Sequence, residues 1–462
     1  MKNYLVTTKK TQGIYKIILE SCQKHLNKIS KKKGTINLIY LNSVNKILSV
    51  NIFIFLLHIF FYKIFNFKKL VELKYRNYEV GMYAASETFR NHKVFNSKLT
   101  LYYIMIKNLL IVSRQIERSI SIAKNSVAIY VDHVGYISGA AIQVFAKEKK
   151  IVYGNGHPRG LFFVDFSKKT TTSLFDIIKI KKDNKKKRIN RALIKKKFAG
   201  VMNYPKNNLS WMKYADYSKL NKKKFLKLNL ESFDYIIYSH SFVDGQLFFG
   251  YDEFSNLKEW LEFTIEYLKK RNKKILIKPH PNFYNKTFNK IAKYDREIFL
   301  EIKKKYENDS VIFLDTPIEN NEILKRVKKE VILISHHGTA ILEGAFLGFK
   351  TICSRCTLWE KKFNISNQWE NIESYKKVLD LKPRILKNFK NSDDFFEISK
   401  KLFFNKYAFG GKLNYEKIIE NFTKPINWSK ANTNPNLLLN LIKNKKQFSN
   451  ITNKISKNIE EI

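Results

Sequence analysis

Val331-Ile332-Leu333-Ile334-Ser335-His336-His337-Gly338-Thr339-Ala340-Ile341-Leu342-Glu343-Gly344-Ala345-Phe346-Leu347-Gly348-Phe349-Lys350-Thr351-Ile352 is the stretch that decides the fold. It opens with a continuous apolar run, the pattern of a strand buried on both faces, and closes on the start of another short strand. Between them lie a polar loop and a helix with an early acid, Glu343, and a glycine stop, Gly348. Strand, loop, helix and strand make one unit of a parallel sheet covered by helices.

The same alternation extends outward. Strands are expected over 234–239, 274–278, 310–314, 331–335 and 350–353, and helices over 256–271, 286–305, 319–328 and 340–348. Nearer the N-terminus, 36–41 and 127–131 read as strands. The segment 135–147 reads as a helix whose small residues Ser138, Gly139, Ala140 and Ala141 suit close packing, and 151–153 resumes the sheet. At 462 residues the chain exceeds the roughly 250–300 at which a single core stops growing, so two domains are expected. The reading divides the chain into a basic N-terminal segment (1–34), an acceptor-side Rossmann-like domain (35–178) and a basic linker or insertion (179–230). A nucleotide-binding Rossmann-like domain (231–390) and C-terminal helices with a basic tail (391–462) complete it. The expected class is α/β, with two doubly wound domains facing a cleft.

Apolar residues make up 44% of the chain, enough for two cores, and the net charge is +46. So strong a positive balance points to nucleic acid, an anionic membrane or anionic substrates, although an AT-rich codon bias toward lysine explains such an excess as well. The basic segments lack interleaved aromatics or a nucleic-acid module, so no nucleic-acid partner is expected. The lysine-rich run 179–197 reads as solvated, with contact to anionic lipid as its functional alternative. The apolar segment 47–65 is interrupted by Asn51 and His58, and the stretch bracketed by Lys46 and Lys63 falls short of the roughly 20 residues of a spanning helix. It reads as a buried helix, with a membrane anchor as the rival. Cys353 and Cys356 have the spacing of a redox or zinc half-site, but nothing completes it, and a reduced cytosolic chain without a signal peptide is expected.

Three polar loops follow expected strands, where open α/β sheets bind ligands. Lys278-Pro279-His280-Pro281 holds His280 between two rings that stiffen the backbone, ready to donate to a phosphate oxygen. Lys278 is an assistant, though strand alternation could also turn it to solvent. In Ser335-His336-His337-Gly338-Thr339, Gly338 permits close approach and Thr339 can cap the helix. Two imidazoles and free helix N–H groups there favour an anion, and Glu343, one turn on, can accept from ribose hydroxyls. The loop from Tyr238 to Gln246 brings His240 as a further phosphate contact; its His, Ser and Asp residues lack the Gly-x-Ser-x-Gly elbow of a hydrolase. On the acceptor side, Glu87 and Asp132, with His133 beside it, are candidates for a general base.

The His280-Pro281 pair, the Ser335 to Thr339 motif and the run Tyr238-Ser239-His240-Ser241-Phe242-Val243-Asp244 resemble the capsule and surface-polysaccharide glycosyltransferases of the GT-B fold, including bacterial sialyltransferases and Kdo transferases. The resemblance covers about 230–355. It implies an inverting, metal-independent transfer from a nucleotide-sugar donor to a growing glycan or lipid-linked glycan. It requires no cofactor beyond that substrate, and no metal ligand is assigned, although carboxylates gathered by folding could hold an ion without a motif. It also implies a cytoplasmic protein, peripheral to the inner membrane through its basic patches. Rival readings are a CDP-linked polyol-phosphate transferase, a sugar-nucleotide 2-epimerase and a non-catalytic scaffold of polysaccharide assembly.

Overall fold

The structure is a computed structural model that describes residues 4–7, 37–40, 52, 54–57, 59, 66–131, 133–155, 161–168, 191–192, 194–195, 225, 227–247, 249–284, 289–315, 318–357, 359, 363–390 and 392–399. These fall into two compact units. The first takes the described residues up to Thr88 and from Tyr102 to 168; the second takes Phe89–Leu101 and the described residues from 191 to 399.

The first unit contains β1 (Tyr4–Thr7), β2 (Asn37–Tyr40), α1 (Phe67–Val71), β3 (Lys74–Tyr75), β4 (Tyr78–Glu79), α2 (Gly81–Thr88), all but the first four residues of α3 (Lys98–Ala123), β5 (Ser126–Val131), α4 (Ala141–Lys147), β6 (Ile151–Asn155) and β7 (Leu161–Asp165). Its sheet runs β2-β1-β5-β6-β7, parallel except for β7, which is antiparallel to β6. The strand order reverses between β1 and β5. β1 corrects the reading of 1–34 as a basic, unpatterned start: Tyr4–Thr7 lies between two parallel partners. Four residues are too short a run to register as a strand before the sheet assembles. Within 47–65, Ile52, Phe55 and Ile59 are buried at helical spacing, and the Phe55 ring lies 5.0 Å from that of Tyr75, while Ile54 and Leu57 are exposed. Among the described residues, no helix is long and apolar enough to cross a membrane.

The second unit contains β8 (Tyr235–Tyr238), α5 (Leu257–Lys269), β9 (Ile275–Lys278), α6 (Asn289–Tyr306), β10 (Val311–Phe313), α7 (Asn320–Leu324), β11 (Ile332–Ser335), α8 (Ala340–Leu347), β12 (Lys350–Ser354), β13 (Asn367–Trp369), α9 (Ile372–Asp380) and α10 (Asp393–Ser399). All six strands are parallel, in the order β10-β9-β8-β11-β12-β13. This is the doubly wound order, and it reverses between β8 and β11. Strand alternation divides the interior. Tyr235, Ile237, Ile275, Ile277, Ile332 and Ile334 enter one core with α5, α6 and α8, whereas Ile236, Tyr238, Leu276 and Leu333 enter the other with Ile323 and Leu324 of α7.

Helix α5 shows how local sequence serves that packing. Asn256 caps it by accepting from Glu259 N–H at 2.9 Å, and the Glu259 carboxylate reaches back to Ser255 N–H. Leu257, Trp260, Leu261, Ile265 and Leu268 repeat at helical spacing and are buried, each worth about 1.5–3 kcal/mol relative to exposure. Trp260→Ala would empty the largest of these positions. Gly348 ends α8 at φ +85°, in the left-handed region where a Cβ is costly.

Three expectations need amendment. The expected strands stop at 350–353, yet Asn367–Trp369 forms a sixth strand beside β12. Helix α7 ends at Leu324 rather than 328, and Arg326 beyond it donates to the carbonyl oxygens of Phe225 and Leu228. From the segments read as linker and tail, Ile194, Phe225, Phe395 and Phe396 are all buried in the cores of this unit.

Candidate functional site

The crevice at the carboxyl ends of β8 and β11 is formed by three loops. His240 follows β8, His280 follows β9, and Ser335 to Thr339 leads from β11 into α8. The Ser335 hydroxyl joins two of them, donating to the carbonyl oxygens of Tyr238 at 3.2 Å and His337 at 3.0 Å. It is 2% exposed and acts as a strut, so the hydroxyl expected to touch ligand instead shapes the loop. Gly338 sits at φ +135°, a conformation that side chains of L-residues rarely adopt.

Four imidazoles converge here. The ring of His240 lies 3.9 Å from that of His337 and 5.1 Å from that of His280. Nδ1 of His337 lies 2.7 Å from Nδ1 of His336. The His336 ring is flanked edge-on by Trp260 and Trp369, and its Nε2 lies 2.9 Å from Oδ2 of Asp252. That carboxylate also accepts from Ser354 Oγ at 2.5 Å and Trp369 Nε1 at 3.2 Å. Burial works against its charge, but His336 and the two further donors outweigh it and hold Asp252 below its usual range.

Burial is the main force on the other rings. It lowers His240 to about 4, with Asp244 and the Ser241 carbonyl opposing. His280 is held well below its ordinary value by burial, His240 and Lys278, and His337 by burial and the surrounding rings. The ligand-free cluster is therefore uncharged at neutral pH at these three positions. Each neutral ring still carries one N–H, and an anion would favour a second.

Beneath the rings, Lys278 is 6% exposed, which settles the question of its direction: it does not point to solvent. Burial lowers its ammonium to about 8, opposed by Glu343. Glu343 is raised by burial, and its Oε2 accepts from Asn320 Nδ2 at 2.6 Å. The expected ribose acceptor is thus already held by one neighbour. Thr339 corrects another expectation. It occupies the N-cap of α8 in a helical conformation, φ −72° and ψ −17°, and its side chain makes no capping bond. A capping hydroxyl needs an extended backbone to reach the first turn.

Two carboxylates that no motif revealed complete the frame. Asp252 lies in a loop and meets His336, Ser354 and Trp369 only through the tertiary fold. Asp295, on α6, accepts from Ser241 Oγ at 2.6 Å and from the N–H groups of Phe242 and Val243 at 2.7 and 3.3 Å. It fixes the loop that carries His240, and burial raises it to about 7. Its one available signal was an acid within a helix whose neighbours pack inward.

Glu87 lies in α2 of the first unit, half-buried between buried Ser86 and Thr88. Asp132 lies outside the described residues. Cys353 is buried against Ser366, and burial pushes its thiol up to about 12, which removes the redox reading of the Cys353-Cys356 spacing. Among the described residues, no group of His, Cys, Asp and Glu is arranged to hold a metal ion.

No family model matches this chain, and no curated protein matches it in sequence. Among solved structures, the UDP-GlcNAc 2-epimerase of Methanocaldococcus jannaschii, in complex with UDP-GlcNAc and UDP, aligns over 86% of this chain and 98% of its own at 13% identity, with a TM-score of 0.29. The N-terminal domain of Candida albicans trehalose-6-phosphate phosphatase aligns over 86% and 92% at 11% identity, with a TM-score of 0.28. Overlays this loose carry no argument. The parallel sheets and the switch-point geometry stand on the chain's own hydrogen bonds.

Proposed function

We propose that the second unit binds the phosphate of a sugar nucleotide and that the protein is a glycosyltransferase. The observation that carries this reading is the convergence of His240, His280 and His337 with the N-terminus of α8 at the point where the strand order reverses. Such a crevice is where doubly wound sheets hold nucleotides, and helix N–H groups with uncharged imidazoles suit a phosphate. During transfer the bond from the anomeric carbon to the phosphate oxygen breaks, and the acceptor oxygen bonds to that carbon. The charge left on the nucleotide is stabilised by His240, His280, His337 and the N–H groups after Thr339. Lys278 sets the field beneath them and Glu343, with Asn320, braces the ribose side. The acceptor proton goes to a general base, for which Asp132 and Glu87 are the proposed carboxylates.

Calorimetric titration with CMP, CDP, UDP and GDP tests the reading. Selective binding of one nucleotide, weakened in both His280→Ala and Glu343→Ala, is the expected result. Absence of binding, or binding that survives both substitutions, rejects it. The sugar nucleotide of whichever base binds is then incubated with and without glycan acceptors. Sugar appearing on an acceptor supports transfer; donor isomerised without any acceptor replaces transfer with 2-epimerisation at the same site.

A further inference from the structure

His336 and His337 are neighbours in sequence, but their nitrogens are committed unequally. The ionised Asp252 carboxylate has only lone pairs, so Nε2 of His336, 2.9 Å away, carries a hydrogen. The facing Nδ1 atoms of His336 and His337, 2.7 Å apart, share a single hydrogen. Where both rings are neutral, His336 has no second hydrogen to give, so the shared one belongs to His337. That leaves Nε2 of His337 with a lone pair, and no described residue engages it. A lone pair is the wrong group to present to a phosphate oxygen, and one added proton reverses it.

We infer that Asp252, His336 and His337 form a proton relay, with Asp252 as the positioning residue, that converts Nε2 of His337 from acceptor to donor when phosphate binds. The inference rests on the phosphate-binding reading above. A solvent proton adds to Nε2 of His337, and the Nδ1 proton of His337 passes to Nδ1 of His336. His337 is again neutral, now donating from Nε2 and accepting at Nδ1. His336 has become an imidazolium paired with the Asp252 carboxylate. One proton enters, one charge is stored, and only N–H bonds change.

Each packed element contributes to the balance. His240 after β8, with Asp244 on the same loop, His280 and Lys278 at the end of β9, Glu343 facing Lys278 from α8, and the Tyr375 hydroxyl of α9, which feels the Asp252 charge, are the titratable groups around the relay. Trp260 and Trp369 turn ring edges to His336, and Trp369 Nε1 donates to Asp252. Without ligand, burial and the neighbouring rings keep His337 deprotonated. A phosphate dianion opposes that repulsion, and Asp252 gives the added charge a counter-ion out of the ligand's way.

The test is titration with UDP at about pH 8, where its phosphates are fully ionised, in two buffers of different ionisation enthalpy. Wild type takes up close to one proton per UDP bound, and Asp252→Asn takes up close to none. Trp369→Phe and Ser354→Ala, which remove donors to Asp252 but spare its charge, keep the uptake; a purely structural role would weaken binding in all three without changing the proton count. UDP binding with no uptake, or with uptake unchanged in Asp252→Asn, overturns the relay and leaves the phosphate site standing. Imidazole nitrogen shifts of ligand-free wild type give a second arm that needs neither variant nor ligand. The relay requires hydrogen on Nε2 of His336 and on Nδ1 of His337, and the opposite tautomers overturn it. If UDP does not bind, the phosphate reading fails with that probe, and the tautomers alone decide whether the relay exists.

Discussion

Each unit has a sheet whose strand order reverses once, and each has histidine just past a strand beside that reversal. In the first unit it is His133, after β5. Its Nδ1 accepts from Gly135 N–H at 3.2 Å, its carbonyl oxygen accepts from Ser138 Oγ, and its ring packs 4.4 Å from Tyr136. There the ring's Nδ1 and one face are taken up by residues of its own loop. In the second unit His240, His336 and His337 bond or stack with one another and are anchored from behind by Asp252 and Asp295. A switch point therefore supplies a place for a ligand, and the partners of the ring nitrogens decide whether the place becomes a site.

The largest test of that contrast removes the anchor. Asp252→Ala leaves a buried imidazole, a buried hydroxyl and an indole N–H without their acceptor, and is expected to cost about 3–5 kcal/mol in urea denaturation. A loss below about 1 kcal/mol would mean that the carboxylate does not hold the cluster together. Next comes His280→Ala, expected to weaken nucleotide binding roughly 10- to 100-fold, the loss of a hydrogen bond to a charged group. In the same titration His133→Ala is expected to stay within about twofold, since its Nδ1 already accepts from Gly135 N–H and its ring packs on Tyr136. Equal effects from the two would erase the distinction between the units. Gly338→Ala should cost about 1–3 kcal/mol through backbone strain alone, because a Cβ there would lie 3.9 Å from its nearest neighbours, His240 and Ser335.

The smallest expected effects lie in the pH profile, where two parts of the site have opposite signs. The lowered histidines bind fewer protons folded than unfolded. Their contribution is present above the ordinary imidazole range and is lost as pH falls toward about 4, the value for His240. Asp295 is raised to about 7, so its contribution is present in acid and is lost as pH rises through about 7. Between these limits three rings oppose two raised carboxylates, Asp295 and Glu343, and stability should fall on acidification. Asp295→Asn removes its share of the opposing slope, so denaturation midpoints measured across that range should fall more steeply than in wild type. A shallower fall would reverse the sign assigned to Asp295.

Much of the second unit was legible because its strands are buried on both faces. Ile275 to Ile277 and Ile332 to Ile334 read as unbroken apolar runs, and their positions needed no knowledge of neighbours. β13 was illegible for the opposite reason. Asn367 and Gln368 are polar and half-exposed, and only β12 beside them makes a strand of the segment. β1 was hidden by its length. The candidate site was half legible: His240, His280, His336 and His337 lie where the pattern put them. Ser335 and Thr339 were assigned to ligand contact and capping, but the structure gives Ser335 two backbone partners and Thr339 no capping bond.

By itself, then, the sequence determined the alternation of buried strands and covering helices from β8 to β12, and with it the loops that bear histidine. Those features depend on local composition: apolar runs bury, glycine ends a helix, and polar residues collect at strand ends. Only the tertiary structure decided which histidines face the crevice and which brace the others. It did so by bringing Asp252, Asp295 and Asn320 from distant loops and helices to particular ring nitrogens, hydroxyls and N–H groups. Buried polar atoms must find partners, and where those partners come from is a property of the packed chain.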